Sequence, residues 1–203
     1  MTVSFSPRTV AQSAASVIEN DVKGAMRVDA AETSLRAELA YPVFQQAIEK
    51  LCARSVRVRT FVHPSHGLAL HAYVSRHGWA ALDAWKARIT DIVTRSRDGG
   101  CDIRLHDFSG FDPIVAEPVP QEGGPAELRW HWEGAHYRER LGALVLSRLF
   151  DVADPALPAG FGSELTPASL PGVLARLHAD EAAWAAAHPK LVVLVRQWAR
   201  EKH

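Results

Sequence analysis

Two short segments with strand character, Val56 to Val62 (VRVRTFV) and Cys101 to His106 (CDIRLH), flank a long stretch of helical periodicity. That order leaves few topologies open. Parallel strands of one sheet need a crossover of a dozen or more residues, and a helix supplies it. The spacing therefore predicts a βαβ unit with both strands pointing the same way, in a chain of α/β class. The crossover helix is expected from about Gly78 to Arg97, with Trp79, Leu82, Trp85, Ile89, Ile92 and Val93 on one side, and Gly99-Gly100 stops it.

Helical patterns dominate the rest. Ser6-Pro7 opens a helix ending near Asn20, and a second begins at Asp29 with Leu35, Leu39, Val43, Phe44, Ala47, Ile48 and Leu51 as its buried stripe. Pro42 is expected to kink or split it. Further helices are predicted over His136 to Phe150, burying Leu141, Leu144, Val145 and Leu149, then Leu170 to Ala187, and Pro189 to about Glu201. Gly110 to Trp132 reads as a long surface loop, and Pro155 to Gly162 as a linker. Thr2 to Phe5 is the one candidate for a third strand. This is too little sheet, because a parallel pair needs covered faces and further neighbours. A second copy or a companion chain covering the sheet edge is the expected remedy.

At 203 residues the chain is sized for one domain, 1–203, whose last part, about 164–203, is a helical extension. Lys plus Arg equals Asp plus Glu at 23 each, so no basic excess points to nucleic acid or an anionic membrane. The first residues show neither a signal peptide nor an anchor, and taken literally the chain stays in the cytoplasm. Cys52 and Cys101 have no CxxC spacing; they read as reduced structural thiols, with a disulfide left open. His63, His66, His71 and His77 cluster in sequence, but without H-E-x-x-H spacing or a close carboxylate. Hydrogen-bonding roles at a rim are the plainer reading, beside a site assembled with His106 and Asp107. Neither a metal nor a cofactor is expected.

Glu133 and His136 carry the most chemical interest. Three residues apart at a predicted helix start, the carboxylate can hold one ring nitrogen and leave the other as a base. On spacing alone, a helix cap is the better explanation of the pair, because E-x-x-H arises by chance in many chains. Ser65 follows the first strand at the edge where open α/β sheets bind ligands, although HPSHG lacks a nucleophile elbow and loop capping is its simpler role. Asp107, with Ser109, leaves the second strand on the same rim, where it can orient His136 or cap the turn. Trp130, Trp132 and Tyr137 offer either an aromatic wall or core packing.

The segments FVHPSH, LHDFSGF, AEPVP, WEGAHY with LGALVLSRLF, and FGSELTPASL with AAWAAAHP run in order from about Ser55 onward. Together they resemble the C-terminal part of the SGNH (GDSL-like) hydrolase superfamily, in its bacterial membrane-anchored, cell-envelope form. The resemblance implies a partial SGNH-like, flavodoxin-like three-layer fold with few parallel strands and many helices. It implies an esterase or acyltransferase for envelope carbohydrate esters, with His136 as general base and Glu133 where the superfamily usually has Asp. Ser65 and Asp107 become secondary catalytic candidates; His63, Trp132 and Tyr137 become substrate contacts. The superfamily's N-terminal nucleophile block has no counterpart here. An inactive partial domain serving binding or assembly is therefore the alternative, and a reading frame starting downstream of the true start would restore an envelope location.

Overall fold

Val58–Val62 forms β1 and Ile103–Asp107 forms β2, paired in parallel register from Val58 opposite Ile103 to Val62 opposite Asp107. The structure, a computed structural model, describes residues 22–24, 30–119 and 127–200. The first expected helix and the candidate strand at Thr2 to Phe5 lie outside the described residues. The crossover holds two helices where the periodicity predicts one: α2, Gly67–His77, and α3, Trp79–Asp98. Gly78 divides them at φ +76°, a left-handed conformation that costs glycine little. α2 escapes a periodicity reading because its buried side includes His71 beside Leu68, Ala72 and Val74.

The remaining elements are α1 (Ala30–Cys52), α4 (Glu139–Leu149), β3 (Ser163–Glu164), α5 (Leu170–Ala187) and α6 (Pro189–Trp198). β3 falls beside the expected linker and joins β2 antiparallel, giving a mixed sheet of order β1-β2-β3. The chain is mixed α/β with a small sheet.

One face of that sheet is apolar. Val58, Val62, Ile103 and Leu105 pack with Ile48 of α1 and with Ile89, Ile92 and Val93 of α3. The broad buried stripe expected on α1 is corrected: Ile48 is buried, but Leu35, Leu39 and Val43 are 60–68% exposed. The packed side of α1 lies toward its C-terminal end, with Tyr41, Phe44 and Cys52 half-buried against the same cluster. Nor does Pro42 split α1, which continues through it with one fewer backbone donor.

Cys52 and Cys101 form a disulfide, with 5.3 Å between Cα atoms. The reading as reduced thiols is overturned for a geometric reason: the turn after α1 brings its last residue beside the entrance to β2. The C-terminal helices pack onto α2, where Trp184, Val195 and Trp198 share a core with Leu68, Ala72 and Leu128. His71 Nδ1 and Glu181 Oε1, 2.6 Å apart, tie α2 to α5.

Among the described residues β1 is an edge strand. Val58 N–H donates to the Asp102 carbonyl and Phe108 N–H to the Val62 carbonyl, so residues 58, 60 and 62 direct their backbone groups at β2. Arg59 and Phe61 consequently turn theirs outward, where no strand among the described residues meets them. No described helix is long and apolar enough to cross a membrane.

Candidate active site at the strand ends

His63 through His66 follow directly from β1, and a hairpin spanning Trp130 to Arg138 folds over them. His131 and Tyr137 form an antiparallel bridge, closed by Trp132 N–H to His136 O (2.8 Å) and Arg138 N–H to Trp130 O (2.7 Å). Glu133 and His136 thus occupy a hairpin tip, with the helix starting only at Glu139. The predicted helix-start placement, and the capping role it implied, are both corrected. Sequence spacing could not separate the two, since a tight turn also brings residues three apart together.

Within the tip, His136 Nδ1 and Glu133 Oε1 are hydrogen-bonded, and Glu133 Oε2 accepts from Ala135 N–H at 2.9 Å. The second oxygen fixes the carboxylate's direction, so the imidazole has a defined orientation. The His136 side chain is 79% exposed, and its Nε2 has no hydrogen-bond partner among the described residues. An oriented imidazole with one nitrogen free at the surface can exchange protons with a bound molecule.

A buried network anchors this hairpin to the strand end. Glu117 accepts from the backbone N–H groups of Arg129 (2.6 Å), Trp130 (2.9 Å) and His131 (2.9 Å), and from His131 Nδ1 at 2.9 Å. Burial alone would raise its pKa, but these hydrogen bonds together hold the carboxyl below its usual range. His131 Nε2 reaches the Pro64 carbonyl at 3.0 Å, so both ring nitrogens face oxygen atoms. His66 completes the link: its N–H donates to Gly134 O (3.0 Å), its Nε2 donates to Glu117 O (2.9 Å), and its Nδ1 accepts from Leu68 N–H to cap α2 (3.1 Å). The expected surface loop from Gly110 to Trp132 is accordingly corrected where it is described: Ile114, Val115, Glu117, Leu128, Trp130 and His131 are buried.

The other predicted residues divide. His63 packs against Tyr137 with 4.9 Å between ring centres and the planes tilted by 35°, and its Nδ1 lies 3.3 Å from Ser65 Oγ. Although exposed on its outer side, its ring is held below the ordinary histidine pKa by desolvation where it packs, with His131 and His136 adding to the effect. Ser65 thus joins His63, not His136. Asp107 likewise does not orient His136. Its Oδ1 accepts from Ser109 N–H (2.9 Å) and Oγ (2.7 Å), and its Oδ2 takes Lys86 Nζ at 2.5 Å. Lys86 is fully buried and also donates to Ser109 Oγ at 2.8 Å. Trp132 is 59% exposed with the Arg138 guanidinium 4.0 Å from its ring centre, whereas Trp130 is core.

Three important residues carried no assigned role in the sequence. Lys86 was visible as a cation inside the apolar stripe of α3, four residues after Leu82 and three before Ile89. Glu117 and His131 gave no such local signal, since their pairing closes a span of fourteen residues. The predicted histidine cluster disperses to Ser65, Glu117, Glu181 and the Tyr73 ring. No group of three or more His, Cys, Asp or Glu among the described residues is placed to hold a metal. Comparison with family models, curated proteins and solved structures finds no match for this chain.

Proposed function

We propose that the chain belongs to an SGNH-type acyl hydrolase or acyltransferase acting on ester-bearing substrates, with envelope carbohydrate esters as the class the sequence resemblance suggests. The observation that carries this reading is the Glu133–His136 hydrogen bond, which orients the imidazole at the hairpin tip and leaves Nε2 without a partner among the described residues. In the reaction, Nε2 removes the proton of an attacking hydroxyl as that oxygen adds to the ester carbonyl, and returns it to the departing alcohol. Glu133 stabilises the imidazolium formed between the steps. The hydroxyl comes from Ser65, from water or from a second polypeptide. The Cys52–Cys101 disulfide supports an oxidising location such as the envelope, where such bonds persist.

p-Nitrophenyl acetate hydrolysis tests the reading. Wild type is expected to exceed His136→Ala by about 10²–10⁴-fold, the usual contribution of a general base. Ser65→Ala tells whether the attacking oxygen is its own. Wild-type and His136→Ala rates both at background overturn an enzymatic role for this chain alone.

A second reading rests on the outward backbone of Arg59 and Phe61. It makes the chain a partial domain whose sheet a companion strand extends, used for binding or assembly. A chain that shows no esterase activity alone or with a companion, yet binds that companion along β1, favours this version.

A further inference from the structure

Two cavities lie in the cleft between α2 and α3 and share Tyr73, Leu82 and Trp85 as a common wall. The inner one, about 360 Å³, opens beneath the hairpin tip at Gly134 and Ala135 and is bounded by His63, Ser65, Lys86 and Ser109 at its polar end. Val62, Ala69 and Leu70 make the rest of its lining apolar. The outer one, about 550 Å³, runs on between α2, α3 and α1 past Ala37, Tyr41, Ala81 and Ala84, with Glu38 and Arg88 also lining it. Each volume lies within the range of small-molecule sites.

This arrangement has a direction. Ser65 and His63 lie at one end, beneath the hairpin tip, and apolar surface from Leu70, Tyr73, Leu82 and Trp85 continues from there toward the outer chamber, whose polar lining is Glu38, His77 and Arg88. We propose that the groove binds a saturated acyl chain, with its carboxyl or ester head at Ser65 and His63 and its tail passing Leu82 and Trp85 into the outer chamber. The polar end offers hydroxyl and imidazole partners to carbonyl oxygen, and the apolar walls desolvate methylenes. A sugar ring, by contrast, would strand its hydroxyls along Tyr73, Leu82 and Trp85. The inference deepens the proposed function, on which it rests for the choice of which end holds the head.

Calorimetric titration of the full chain with butanoate, octanoate and dodecanoate tests it. Affinity is expected to rise by about fourfold per added methylene, the equivalent of burying one CH₂, until the tail fills the groove. Ala81→Trp and Ala84→Trp, at exposed positions lining the outer chamber, are expected to leave butanoate binding unchanged and end the gain at shorter chains. Circular dichroism confirms that each variant is folded. Affinity independent of chain length, undetectable binding, or a tryptophan series identical to wild type overturns the proposal. So does a wild-type dimer that Ala81→Trp dissociates without any alkanoate binding, because a second copy then fills the cleft. His136→Ala is expected to keep the whole binding series; binding retained with no hydrolysis by wild type leaves the groove standing and removes the catalytic reading alone.

Discussion

Lys86 Nζ sits 2.5 Å from Asp107 Oδ2 with both side chains almost wholly shielded from solvent, so that α3 is latched to the last residue of β2. A charge left alone in such a place is costly. Lys86→Met and Asp107→Asn are each expected to lower stability by about 3–5 kcal/mol. The double variant is expected to lose less than the sum, as coupled neighbours do. Urea unfolding of all four proteins checks both statements.

The buried ring of His66 makes stability depend on mild acid. Burial, with His131 adding, pushes its pKa down from 6.5 to about 4. A depressed value favours the neutral folded form, so the contribution is complete above pH 6.5 and is lost as pH falls through 4. The span amounts to about 3 kcal/mol at roughly 1.4 kcal/mol per unit. Denaturant titrations at pH 7, 5.5 and 4.5 are expected to show the decline, and His66→Asn, which can still cap α2, to flatten it.

Closing a separation of 49 residues, the Cys52–Cys101 bond removes substantial freedom from the unfolded chain. Chain-entropy reasoning gives about 4 kcal/mol. Cys52→Ala/Cys101→Ala is expected to melt roughly 10 °C lower than wild type in a thermal scan. Thiol titration of the unreduced, unfolded wild type is expected to find none free.

Gly162 has φ +77°, and a Cβ there would enter the ring of Phe108. Gly162→Ala is therefore expected to cost about 2 kcal/mol or more, as strained backbone and overpacking combine. Gly160→Ala, with open space around its added methyl, is expected to stay within about 0.5 kcal/mol of wild type. Thermal scans of the pair separate a local steric demand from a general loss of loop flexibility.

What could be read along the chain was whatever repeats locally. Leu141, Leu144, Val145 and Leu149 mark the buried side of α4, and the strand, helix, strand order gave β1 and β2 their common direction. Equally apolar residues on α1 misled, because Leu35, Leu39 and Val43 have a helical period but no covering surface among the described residues. At the site, Glu133 and His136 were legible as neighbours, while the hairpin holding them was not. That hairpin depends on Glu117 reaching across to His131, and on His66 reaching from β1's exit to Gly134, contacts that no local pattern encodes.

With no strand among the described residues beside them, the outward amides and carbonyls of Arg59 and Phe61 give β1 a template character. Arg59, whose guanidinium turns back to Asp102 at 2.9 Å, places no repelling charge across that margin, and Phe61 adds partly bare ring surface to it. A strand arriving there would find its hydrogen-bonding ladder half made. Concentrated samples should therefore grow by adding strands, and a short peptide matched to this margin should act as a plug that keeps the molecules apart.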